Sequence, residues 1–289
     1  MQGGFSRDAL NATVPVIREH SYVVNAKVRP LLLFWIARDN IGEARLTWRK
    51  GTDGRRAFEF LVGSDPARAP RHINRWGFIV EALNGDKAEV LGVMQGSSVE
   101  TIEEAEAQLD RHGNTSTFKA ARTMIDGNRA VSGSMTVEAP SRLTFRDLDA
   151  LLALIPAGPI SLRTSELPPG TQKGFLVALD LMMRDSVGPC QAGRAKDVPT
   201  IQYVYNQAVY DLSLLSCDYL SELRTKTGTF ADVVDARFRV TDTKTKYETK
   251  FHLSFGTSGD LREVPVRAVF WPRWWMEVEM ELNRAADSS

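Results

Sequence analysis

Near the C-terminus the side chains alternate with a period of two: Val234, Ala236, Phe238 and Val240 are interleaved with Asp235, Arg237, Arg239 and Thr241. Successive strand residues point to opposite faces, so this run is a half-buried strand with one apolar and one polar face. The polar stretch 242–246 then separates it from a second alternating run. That run sets Tyr247, Thr249, Phe251, Leu253 and Phe255 against Glu248, Lys250, His252 and Ser254. A third strand over 264–270 follows a Gly-Thr-Ser-Gly-Asp turn, and in a fourth Met276, Val278, Met280 and Leu282 face away from Glu277, Glu279 and Glu281. The last fifty or so residues therefore read as an antiparallel meander.

The N-terminal half carries the same signal at 22–29, 31–38, 44–48 and 57–62, broken at Pro30, Gly42 and the Gly51–Gly54 turn. A further hairpin, 78–83 with 88–94, turns at Asn84-Gly85-Asp86, a favoured tight-turn sequence. Three helices are expected. The first, 99–111, opens on a Ser97/Glu100 capping pair; the second, 145–155, begins after Thr144 and stops at Pro156; the third spans 173–184. The fold class is β-rich α+β: antiparallel sheets forming a closed or half-open barrel with about three packed helices, because so many strands otherwise leave edges exposed. The expected organisation is an N-terminal extension over 1–20, a β-rich domain over 21–285 and a tail over 286–289. The proline- and glycine-rich stretch 156–170 is the best linker candidate, and the alternative to a single domain is two β lobes joined near 140–170.

Composition excludes more than it assigns. With 36 basic and 36 acidic residues among 289, the chain lacks the basic footprint of a nucleic-acid binder. Its longest apolar run, 31–37, is far short of the roughly 20 residues of a membrane-spanning helix. The same run has no polar face, which suits a strand buried on both sides or one lining a lipid-sized cavity. The first 20 residues carry no export signal, although a leader removed earlier would leave the same start. His20, His72, His112 and His252 are scattered, so a metal site is not indicated, and no nucleophile elbow, phosphate loop, dinucleotide fingerprint or CxxC is present. No cofactor is expected. Cys190 and Cys217 either pair or are inert, and pairing would imply an oxidising compartment.

Three clusters could carry function. Residues 63–77 gather Arg68, Arg71, His72 and Arg75 with two prolines, so that cationic forks could converge on an anion; the bland reading pairs the arginines with acids such as Asp65 and Asp39. Arg38 and Asp39 follow an apolar strand and either shape a site or close a turn. Trp271, Trp274 and Trp275, with Phe270 and Arg273, form the densest aromatic group, suited to a sugar, a lipid chain or a partner peptide, or else to filling a core.

Three motifs occur in order: Tyr203-Val204-Tyr205-Asn206 through Tyr210-Asp211-Leu212, then Thr227-Gly228-Thr229-Phe230, then Val264-Pro265-Val266-Arg267. In this order the chain resembles an uncharacterised bacterial exported-protein family, domain of unknown function 3108, over about 151–282 and more faintly over 22–60. The stretch 66–133 has no counterpart in it. The resemblance implies a β-rich periplasmic or otherwise exported protein without an assigned activity. The leading functional expectation is a non-enzymatic envelope protein that binds a lipid, glycan or other hydrophobic small molecule or an envelope component. The alternatives are a structural assembly partner using a sheet edge, and a small-molecule hydrolase using the arginine loop with Asp65 or His72 as acid–base groups.

Overall fold

The computed structural model describes residues 14–28, 36–69, 73–95, 115–156, 162–273 and 276–284. Among these are fourteen strands, all paired antiparallel to their neighbours where a register is defined, and they divide between two compact units. One unit comprises Met1–Glu19 and Ile41–Glu166, the other His20–Asn40 and Leu167–Ser289, so the boundaries fall inside strands β1 (Val16–Val28) and β2 (Ile36–Lys50). The strand order has two ends, so the sheet is not closed and the closed form of the expected barrel does not occur.

In the first unit β2 is followed by β3 (Arg56–Ser64), β4 (Trp76–Asn84), β5 (Lys87–Gln95), β6 (Thr115–Asp126), β7 (Arg129–Pro140) and β8 (Arg163–Glu166), each paired with the next. Tight turns make this possible at 85–86 and 127–128, where Gly85 and Gly127 hold positive φ of 59° and 56°. At the opposite end of the strands lies the core. Trp76, Phe78, Val93, Phe118, Met135 and Val137 pack against Phe145, Leu148, Leu151, Leu152 and Ile155. The latter come from a 3-10 turn (Phe145–Asp147) that leads into a short helix, α1 (Leu148–Ala153). Thr144 caps this segment: its hydroxyl accepts from the Arg146 N–H, and the Asp147 carboxylate accepts from the Thr144 N–H. Burying each large apolar side chain of the segment contributes about 1.5–3 kcal/mol.

Gly42 does not end a strand, contrary to the sequence expectation. A Cβ there would lie 2.1 Å from the Gly63 carbonyl oxygen, and glycine lets β2 run on through this close approach with Gly42 opposite Ser64. The apolar run expected as strand 31–38 lies outside the described residues except at its end, as does the expected helix 99–111. Two helices, rather than three, are found among the described residues.

In the second unit β1 pairs with β14 (Met276–Leu282). The order continues through β13 (Pro265–Arg273), β12 (Glu248–Gly256), β11 (Thr229–Asp242), β10 (Ala208–Arg224) and β9 (Ile201–Tyr205). The expected C-terminal meander is present in the expected strand order. Helix α2 (Phe175–Gln191) lays Ala178, Met182, Met183 and Cys190 onto Leu212, Val234, Ala236, Phe238, Leu253 and Phe255. Its last turn is joined to β10 by the Cys190–Cys217 disulfide, with the two Cα atoms 5.7 Å apart. The outer edge of β9 is partly occupied by Gln172, whose N–H donates to the Gln202 carbonyl while its own carbonyl accepts from Val204.

Candidate functional site

At the turn end of the first unit, away from the α1 plug, the strands leave an open cleft of about 670 Å³. This is within the 300–1,000 Å³ range of small-molecule sites. Its floor is a cross-strand row: Ala82 pairs with Glu89, Glu89 with Met124 and Met124 with Val131. One step towards the core the row is Val80, Leu91, Arg122 and Gly133, and the next is Phe78, Val93, Ala120 and Met135. On β4 the side chains of this face shrink from Phe78 through Val80 to Ala82 as the strand approaches its turn, which leaves space beside the longer Glu89 and Met124. Val14, Leu83, Ala88 and Ile125 complete the apolar lining, and Met124 remains 39% exposed to the cleft and solvent.

The charged groups around the cleft can be paired off one by one. Glu89 in the floor accepts from Arg122 Nε at 2.5 Å, both side chains being about one-fifth exposed. Glu59, 3% exposed, accepts from Arg49 Nε at 2.6 Å, and Arg49 Nη1 also donates to the Val14 carbonyl, which fixes Val14 in the wall. On the rim Arg55 pairs with Asp53 at 2.6 Å and Lys87 with Asp126 at 3.6 Å. The Arg55 backbone N–H, and next its side chain, hold the Asp53 carboxyl below the usual range. Two cations in the lining then remain: among the described residues Arg56 and Arg129 have no ion-pair or hydrogen-bond partner for their side chains.

The sequence-derived candidates lie elsewhere. Arg68 donates through Nε to Asp65 Oδ2 at 2.9 Å and through Nη2 to Glu43 Oε1 at 2.7 Å, and Arg146 Nη2 reaches the same Asp65 oxygen at 3.1 Å and the same Glu43 oxygen at 2.8 Å. The Ala67 N–H and then Arg68 hold the Asp65 carboxyl low. Arg75 donates to the neighbouring Asn74 carbonyl, while Arg71 and His72 lie outside the described residues. Arg38 is exposed, its Nη1 donating to the Ala37 carbonyl. Asp39 pairs with Lys226, whose backbone N–H donates to the Glu281 carboxylate at 3.2 Å. Trp271, 37% exposed, donates through Nε1 to Glu277 Oε2 at 3.2 Å, and its ring meets His252 edge-on. Trp274 and Trp275 fall outside the described residues. None of the described candidates lines the 670 Å³ cleft.

On the same sheet face of the second unit, Glu279 pairs with Arg267 and Glu277 with Lys27, both at 2.6 Å. Glu279 and Glu281 are 7% and 2% exposed, so the face expected to be wet is partly covered. Among the described residues no group of His, Cys, Asp and Glu is arranged to hold a metal ion, and no helix is long and apolar enough to cross a membrane.

No protein-family model matches the chain and no curated protein matches it, so the likeness to domain of unknown function 3108 rests on its three ordered motifs alone. Among solved structures, a beta-barrel-like protein of domain of unknown function 1849 from Brucella abortus matches at 11% identity and a TM-score of 0.40, over 93% of this chain and 96% of that one. A "putative lipoprotein" from Parabacteroides distasonis matches at 8% identity and a TM-score of 0.26, over 92% and 94% of the two chains.

Proposed function

We propose that the protein is a non-enzymatic binding protein of the bacterial envelope, and that the open cleft of the first unit holds an amphiphilic small molecule. The observation that carries this reading is the cleft itself: a volume of about 670 Å³ with Ala82, Met124 and Val131 in its floor beside the Arg122-paired Glu89, and a charged rim. Ligand sites combine apolar lining with polar groups that fix orientation; here seven of the fourteen lining residues are apolar and seven are charged or polar, which suits an amphiphile rather than a purely hydrophobic ligand. The Cys190–Cys217 disulfide supports an oxidising compartment such as the periplasm. The hydrolase alternative loses support because Arg68 and the acid beside it, Asp65, are already engaged with Glu43 and Arg146.

Native mass spectrometry of gently purified protein, followed by denaturing extraction, tests the reading. An acyl-chain compound released in near-stoichiometric amount, and displaced when Ala82→Trp fills the floor, is the expected result. A homogeneous apo mass together with no binding of any acyl compound would overturn it.

A further inference from the structure

We infer that the cleft selects an acyl chain carrying an anionic oxygen head group, a carboxylate or a phosphate, and that Arg56 and Arg129 hold the head. This rests on the cleft reading above and adds the ligand class. The lining contains four cations, Arg55, Arg56, Lys87 and Arg129, and two anions, Glu89 and Asp126. Glu89 is neutralised from the floor by Arg122, Asp126 pairs with Lys87, and Arg55 is taken by Asp53 just outside the lining. The charge left over is two guanidinium groups at the mouth and none in the floor.

A neutral amphiphile gives these arginines nothing to bind, whereas an anionic head satisfies the fork geometry of each. The division of labour follows from position. Arg129 opens β7 two residues before Val131 of the floor, and Arg56 opens β3 with Leu83 of the cleft wall opposite it in register. Arg129 shares the strand face of Val131, whereas Ala57 rather than Arg56 stands opposite Ala82, so Arg56 opens on the other face and lines the cleft from the strand ends. A chain lying on Ala82, Met124 and Val131 meets Arg129 directly, and Arg56 closes on the head from round the edge. Both side chains are exposed in the absence of ligand, so each is free to reach the head without breaking an existing pair.

The test uses the full chain and three probes below their micelle concentrations: a fluorescent fatty acid, its methyl ester, and a lysophosphatidic acid as competitor. Arg56→Gln, Arg129→Gln and the double variant are compared with Arg184→Gln, an exposed position on α2, with thermal midpoints recorded for all. The expected result is that the acid binds the wild type at least tenfold more tightly than the ester. Each cleft variant loses about tenfold for the acid and nothing for the ester, Arg184→Gln changes neither, and added salt weakens only the acid. Displacement by lysophosphatidic acid assigns a phosphate head; displacement only by other fatty acids assigns a carboxylate. Equal binding of acid and ester, unchanged in the variants, overturns the head-group inference and leaves the cleft reading standing. Failure of all three probes, with no chain extracted from purified protein, overturns both.

Discussion

Reduction of the Cys190–Cys217 disulfide is expected to lower stability by about 3.5 kcal/mol. The bond closes a loop with a sequence separation of 27, and the chain-entropy relation for a loop of that size gives about 3.5 kcal/mol at 25 °C. Its placement lets most of that stabilisation reach the fold, since it ties the last turn of α2 to β10 within the same apolar cluster that holds Met182, Val234 and Phe238. At about 2–4 °C per kcal/mol for chains of 150–250 residues, the thermal midpoint of the second unit falls by about 7–14 °C. The assay is circular dichroism melting of oxidised and fully reduced wild type, with thiol counting on each sample, so that no side-chain volume changes between the two states. Hydrogen exchange on the reduced form should quicken first in the last turns of α2 and in the central part of β10. A midpoint shift under about 2 °C between a sample with no free thiol and one with two would refute the reasoning. It would mean that packing of Ala178, Met182 and Met183 alone holds the helix down and that the cross-link adds nothing to it.

Gly63→Ala is expected to cost about 2–3 kcal/mol, read by denaturant melts. The new Cβ would lie 2.3 Å from Phe145 Cδ1 and push the plug off the sheet. Gly54→Ala serves as a contrast: a Cβ there meets nothing within 4 Å, so it carries only the strain of its positive φ of 85°. Arg68→Ala should change stability by less than about 1 kcal/mol, because Arg146 remains on both the buried Asp65 and the exposed Glu43 and so leaves no carboxylate unpaired; a loss above about 2 kcal/mol would show the network to be structural. Glu281→Gln should raise the thermal midpoint at pH 7 by about 2 °C, with the difference closing as the pH falls towards 4. Burial pushes the Glu281 carboxyl above its usual value, partly opposed by the Lys226 N–H. The folded state therefore binds this proton more tightly than the unfolded chain, and the cost of the buried charge disappears as the pH drops through the raised value and then below the unfolded one. A variant equally destabilised at pH 7 and pH 4 would contradict this sign.

What could be read in the sequence depended on whether burial kept its phase along a strand. In β11 through β14 one face stays apolar for the whole length, so Val234 to Val240 and Met276 to Leu282 are recognisable as strands. β6 and β7, absent from the sequence reading, bury one face near the plug and the other near the turn. Phe118 and Ala120 are buried on one parity and Thr123 and Ile125 on the other; Ala130 and Ser132 likewise give way to Met135, Val137 and Ala139. A phase change in mid-strand cancels the period-two signal, although each half obeys it. The reach of α2 was hidden differently. The helix expected to end at 184 continues through Gly188 and Pro189 to Gln191, held where buried Cys190 joins β10.

The cleft was hidden for a third reason, and the reason bears on what it can do. Its floor residues are separated by up to 49 positions and meet only because four strands come into register at 82, 89, 124 and 131. No local motif marks them. What the sequence does contain is a loss of aromatic side chains along the same face: Trp76, Phe78 and Phe118 lie near the plug, and none of Ala82, Glu89, Met124 and Val131 near the turns is aromatic. At the first end α1 fills the space above the sheet with Leu148, Leu151 and Leu152, and Phe145 before it and Ile155 after it complete the plug. At the second, Ala82, Val131 and a floor carboxylate already neutralised by Arg122 leave the space beside Met124 open without leaving a buried charge unpaired. A strand face that ended in large apolar side chains there would expose them or demand a second plug. This one ends in alanine, valine and a paired carboxylate with Met124, 39% exposed, as its one large apolar side chain, so it stays open in water and still offers an apolar surface to a chain. The same economy explains why the rim, rather than the floor, carries the two unpaired guanidinium groups: unpaired charge is tolerated where water reaches it, and that is also where the head group of an amphiphile would lie.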